Sequence, residues 1–133
     1  MLPGRVTPIG VLFISATPPT LQDGYLGGIA HSPDGQVRIA AVTPSVFTNG
    51  FGLTNTGQLC VAPGGTIANY AMGLPFTSDG RLVTQLNQAP LATDAYVGGI
   101  RVGPLGGVYT TDAVPTTVDA WSEGFNGGFG NGS

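Results

Sequence analysis

The chain has 133 residues, of which 41% are apolar and only 8% are Asp, Glu, Lys or Arg. That length sets one domain with a modest core, and the pairing of high apolar content with low charge excludes an intrinsically disordered chain. There is no lysine, the four arginines lie far apart and the net charge is -3, which excludes binding to nucleic acid by phosphate neutralisation.

Charge this sparse, against roughly a quarter of residues in ordinary soluble domains, leaves little to keep copies apart. Self-association as a homo-oligomer, or coverage by neighbouring proteins, is therefore expected. In chain order, residues 1–24 read as an N-terminal arm with one strand, the apolar run Ile9-Gly10-Val11-Leu12-Phe13-Ile14 behind Arg5. The run imitates a short signal-peptide core, but Ser15-Ala16-Thr17 makes a poor cleavage site and a strand is the better reading. No apolar stretch approaches the ~20 residues that span a bilayer, so no membrane partner is expected.

From Tyr25 a pattern recurs four times without gaps: an aromatic, two residues, Gly, an apolar residue, five residues, Gly, one residue, an apolar residue. The copies occupy residues 25–37, 47–59, 70–82 and 96–108. Tyr25, Phe47, Tyr70 and Tyr96 hold the aromatic position, Gly28, Gly50, Gly73 and Gly99 the first glycine, and Gly35, Gly57, Gly80 and Gly106 the second. In the third copy Leu74 and Phe76 alternate with Pro75 and Thr77 as in an entering strand, Ser78-Asp79-Gly80 reverses the chain, and Leu82 begins the return. The second glycine is expected at positive φ just before the returning strand. The first is expected at a kink or close backbone approach, with the aromatic three residues earlier packing across it.

The connectors "AAVTPSV", "APGGTIAN" and "NQAPLATDA" carry prolines and no helical period. Four hairpins, with the strand near residues 10–15 and another near 108–111, predict about nine or ten short strands. The fold is therefore expected to be all-β: a β-sandwich with jelly-roll-like packing, or a barrel or prism, built from about four repeated hairpins over residues 25–111. Residues 112–133 form a glycine-rich C-terminal arm punctuated by Trp121, Phe125 and Phe129. Both arms are expected to lie extended on neighbouring chains, with those three aromatics as anchors in partner pockets.

The pattern offers no catalytic, cofactor-binding or metal-binding constellation. His31 is the only histidine, and its place in the other copies is taken by Leu53, Phe76 and Val102, so it reads as structural. Cys60 stands alone between Leu59 and Val61 and reads as a buried, inert thiol. The carboxylates fall mostly beside Gly, Ser, Pro or Ala in predicted turns, where they bond the turn's own amides. Arg38 and Arg81 each lie beside a hairpin, where a charge blunts a sheet edge.

The segments "YAMGLPFTSDGRLV", "YLGGIAHSPDGQVRI" and "FTNGFGLTNTGQLCV" resemble parts of small structural proteins of tailed bacteriophages. The resemblance spans roughly residues 25–111 and is clearest at 70–85. It implies a non-enzymatic virion protein assembled in the host bacterial cytoplasm, of capsid cement or decoration type, with the major capsid protein as partner. Two alternatives stand beside it: a tail or head-fibre adaptor or receptor-binding component, and a secreted sugar-binding β module.

Overall fold

The computed structural model describes residues 11–85, 91–97 and 100–114. They form thirteen strands and no helix. Strand β1 spans Leu12–Ser15. Each copy of the pattern then contributes three strands rather than the two expected. The first gives β2 (Gly24–Leu26), β3 (Ile29–His31) and β4 (Val37–Ala40), and the second gives β5 (Val46–Thr48), β6 (Phe51–Leu53) and β7 (Leu59–Pro63). The third gives β8 (Asn69–Ala71), β9 (Leu74–Phe76) and β10 (Leu82–Gln85), and the fourth gives β11 (Ala95–Val97), β12 (Ile100–Val102) and β13 (Val108–Thr111).

The additional strand carries the aromatic. In the first three copies a two-residue turn joins it to the entering strand, and both central residues have positive φ: Gly27 and Gly28, Asn49 and Gly50, Met72 and Gly73. That is the type I′ geometry, whose twist matches paired strands. The first glycine thus closes a hairpin turn; Gly99 lies outside the described residues. The second turn has the same closure in all four copies. Gly35 donates its N–H to Ser32 O and Ser32 N donates to Gln36 O, with equivalent pairs at Gly57 and Thr54, Gly80 and Thr77, and Gly106 and Gly103. Each second glycine has φ between 89° and 98°, in the left-handed region that this loop requires.

The last strand of every copy enters a barrel. β1 pairs in parallel with β13 and β4, β4 with β7, β7 with β10, and β10 with β13, closing a ring of five parallel strands. The all-β expectation therefore resolves to its barrel alternative. β1, the strand expected within the N-terminal arm, is a full member of the wall, because it forms parallel ladders with β13 through Leu12 and Phe13 and with β4 through Ile14 and Ser15. The register is regular: the first residue of each barrel strand sits opposite the third residue of the strand before it.

Alternation puts equivalent apolar residues on one face. Leu12, Val37, Leu59, Leu82 and Val108, from the barrel strands, pack in one cluster with Ile29, Phe51, Leu74 and Ile100 from the entering strands. Leu53, Phe76, Val102 and Val61 complete that cluster, and the Phe51 and Phe76 rings tilt against each other at 5.7 Å. Each of these side chains is at most 6% exposed, so a truncation such as Leu59→Ala would cost about 2–5 kcal/mol.

Candidate functional site

The outermost strand of each copy, β2, β5, β8 or β11, pairs on one side only among the described residues. Each presents its aromatic half outward: Tyr25, Phe47, Tyr70 and Tyr96 are 54%, 60%, 63% and 49% exposed. Leu26 and Met72 are exposed beside them. These strands carry none of the charged residues that ordinarily blunt a sheet edge, so an apolar rim repeats around the molecule.

The inward half of each ring has a defined seat, which differs from the expected one. An aromatic packs across the second glycine of the following copy, not the first glycine of its own. A Cβ at Gly57 would lie 2.4 Å from Tyr25 Cε2, one at Gly80 2.4 Å from Phe47 Cε2, and one at Gly106 3.0 Å from the Tyr70 hydroxyl oxygen. The Tyr25 hydroxyl also donates to Thr56 O at 3.0 Å. Tyr96 accepts at its hydroxyl from Arg101 Nε, 2.9 Å away. The first glycine faces a different neighbour: Gly28, Gly50 and Gly73 lie under Thr48, Ala71 and Val97 of the following copy. Spacing within one copy holds no signal for contacts between copies, which is why sequence reading missed them.

Grooves run between copies. One is bordered by Tyr25 and Gly28 on one wall and by Leu53, Thr54, Asn55 and Gly57 on the other. Another is lined by Pro63 at the end of β7, Ile67 of the following connector, Gln85 of β10 and Leu105 of the fourth copy, among others.

The titratable side chains serve the frame. Arg38, expected at an edge, is instead buried on β4. Its Nε and Nη2 donate to the two Asp23 carboxylate oxygens at 2.9 Å, and its Nη1 donates to Ser15 Oγ at 3.0 Å. The Arg38 guanidinium holds the enclosed Asp23 carboxyl below the usual carboxylate range. Asp94, at the corresponding place in the fourth copy, accepts from the Tyr109 hydroxyl at 2.9 Å. Burial, followed by that bond, raises the Tyr109 pKa.

Asp79 sits in its loop, bonded by Thr77 Oγ1 and paired with Arg81 at 3.2 Å, and both interactions lower its pKa. Burial raises the Cys60 thiol pKa, and that residue is 0% exposed in β7. His31 is half-buried with Nδ1 3.0 Å from Ile29 O; burial pushes its pKa down. Among the described residues no three His, Cys, Asp or Glu side chains gather where a metal could be held. Every buried side-chain N and O among them has a hydrogen-bond partner.

Trp121, Phe125 and Phe129, expected to bind partners, lie outside the described residues. The arrangement that remains is a rim of repeated aromatic edges and the grooves behind them, suited to adhesion. Comparison with models of protein families, with characterised proteins and with solved structures gives no match.

Proposed function

We propose that the protein is a non-enzymatic structural component of a tailed-bacteriophage virion, a cement that binds the lattice of the major capsid protein and stabilises the head. The observation that carries this reading is the aromatic rim. Four edge strands each expose an aromatic ring on a chain with very few charges, and such edges invite pairing with further strands or apolar partner surfaces. Weak contacts repeated around one molecule, and over many molecules on a lattice, sum to firm attachment. A protein that binds the assembled shell and not its free subunits stabilises that shell by mass action. Self-association through the same edges would let copies bridge capsomers.

The test adds purified chain to heads assembled without it, followed by sedimentation and cryo-EM. Saturable binding at regular lattice positions, with heads surviving to higher temperature, is the expected outcome. Density confined to the tail or a head fibre would replace cement with the adaptor or receptor-binding role. No binding to any part of the particle would remove the virion reading.

One feature favours a second reading, a sugar-binding β module. The groove between the first two copies sets the Tyr25 ring near Thr54 and Asn55, an aromatic surface beside hydroxyl and amide groups. Specific binding on a glycan array, lost in Tyr25→Ala, would support it.

A further inference from the structure

The type I′ turn that tips the rim hairpin in the first three copies makes two demands on sequence. Its first central residue must accept a left-handed φ, which favours Gly or Asn. Asn49 meets that demand in the second copy, with φ 53°. Its second central residue must be small as well as left-handed: Gly50 has φ 87°, and a Cβ there would lie 3.0 Å from Ala71 Cβ. The corresponding turns of the first and third copies are Gly27-Gly28 and Met72-Gly73. Among the described residues, the second copy alone joins Asn to Gly.

An asparagine followed by glycine holds an electrophile and a nucleophile one ring closure apart. Attack of Gly50 N on Asn49 Cγ closes a cyclic imide, and glycine, lacking a Cβ, leaves its nitrogen open to that approach. Both residues are exposed. Neither the Gly50 N–H nor the Asn49 side-chain amide has a hydrogen-bond partner among the described residues. By contrast Gly57, in the second turn of the same copy, donates its N–H to Thr54 O at 3.0 Å.

Exposure alone does not single out Asn49, since Asn55 and Asn69 are exposed too. Asn55 precedes Thr56, a β-branched residue whose N–H donates to Thr54 Oγ1 at 3.3 Å. Asn69 precedes Tyr70, which is bulky and held within β8. The turn, in asking for Asn and then Gly, sets Asn49 apart chemically.

We propose that Asn49 deamidates without an enzyme in the folded protein, which makes the tip of the second rim hairpin a site of covalent modification. Gly50 N bonds to Asn49 Cγ, the Cγ–Nδ2 bond breaks, and the Gly50 amide proton leaves with Nδ2 as ammonia. Water then opens the imide. Its addition at Cγ gives aspartate with the main chain unchanged; its addition at the main-chain carbonyl carbon of residue 49 gives isoaspartate, with the chain rerouted through Cγ. Either product sets a carboxylate between β5 and β6, neither of which carries a charge. Aspartate also visits left-handed φ, so the charge arrives without loss of the turn. A charge at a sheet edge opposes pairing with further strands, and conversion therefore weakens the adhesion of that edge. This last effect rests on the role proposed above for the rim, whereas the chemistry at Asn49 does not.

The test incubates the full chain in mildly alkaline buffer, folded and in urea, and then maps it by mass spectrometry. With no lysine present, trypsin releases residues 39–81 as one peptide that carries Asn49, Asn55 and Asn69 together. The amide-to-acid mass gain is expected at Asn49 in the folded chain, with an isoaspartyl linkage detectable there, while Asn55 and Asn69 stay intact. Asn49→Gly, which keeps the turn, is expected to abolish the gain without lowering Tm. An Asn49 that stays intact in the folded chain while it converts in urea, or conversion spread evenly over the three asparagines, would overturn the proposal. The effect on adhesion is read by binding fresh and aged chain to heads assembled without the protein. Aged chain is expected to bind more weakly than fresh, and aged Asn49→Gly as well as fresh. Equal binding by fresh and aged chain would overturn the effect on adhesion. Heads that bind no form would overturn the cement reading, with the chemistry at Asn49 still decided by the mass map.

Discussion

At the scale of single residues, the strongest constraint is a backbone conformation combined with an aromatic lid. Gly57 and Gly64 both have positive φ, at 89° and 70°, but Tyr25 stands over Gly57 while nothing lies within 4 Å of a Cβ at Gly64. Gly64→Ala should therefore cost only the left-handed strain of about 1–2 kcal/mol. Gly57→Ala should cost clearly more in denaturant unfolding, and the excess should shrink when Tyr25→Ala is added. His31 makes a second residue-scale prediction. Burial lowers its pKa in the folded state, against smaller opposing effects of the Ile29 carbonyl and Asp23. The unfolded chain thus takes up a proton at a higher pH than the folded one. This contribution to stability is complete above the ordinary histidine pKa of about 6.5 and is lost as pH falls below it, at no more than about 1.4 kcal/mol per pH unit. Urea titrations between pH 7.5 and 5 should show that slope, and His31→Leu should abolish it. The loss that comes from Asp23 and Asp79 belongs at lower pH, because their pKa values are lowered from the ordinary carboxylate value.

At the scale of the element, the hairpin loop was legible and the outer strand was not. Gly35, Gly57, Gly80 and Gly106 announce their loop because only glycine tolerates that φ easily, and alternation around Leu74 and Phe76 announces the strand before it. The strand ahead of the first glycine is three residues long and mostly exposed, so it shows no buried alternation. Its turn is disguised as well: the type I′ position that favours Gly or Asn is held by Met72 in the third copy. Met72 has φ 56° and is half exposed, so replacing it by Gly relieves strain and forfeits little packing. Met72→Gly is expected to stabilise by up to about 1 kcal/mol, measured as a shift in urea midpoint at constant slope. Asn49→Gly should gain less, since Asn visits this region more readily. The Arg38 cluster is hidden in sequence for a related reason: its partner Asp23 precedes it by 15 residues, and only the pairing of β1 with β4 brings Ser15 to complete the cluster.

At the scale of the whole molecule, closure joins Leu12 to Thr110, near opposite ends of the described chain. Local hairpins can form early, but the parallel wall between copies must wait for long loops to close. Folding in the millisecond-to-second range is expected by stopped flow. Leu12→Ala should mainly speed unfolding if the last seam forms after the transition state. Parallel closure was not legible because no residue pattern in one copy specifies its neighbour. What each copy does fix is an offset of two residues against the strand before it, so five strands accumulate a stagger of ten. With a rise of about 3.3 Å and a spacing of about 4.8 Å, that inclines the strands by roughly 54° to the barrel axis. The inclination depends on stagger per strand and not on the number of strands. A duplicated copy would therefore add circumference without changing the slope of the wall, and the geometry of the seams would accept six as readily as five. Ring size is then a matter of filling the axis. Leu12, Val37, Leu59, Leu82 and Val108 suit a narrow bore, and a lineage that enlarged those five side chains could grow its ring by simple tandem duplication.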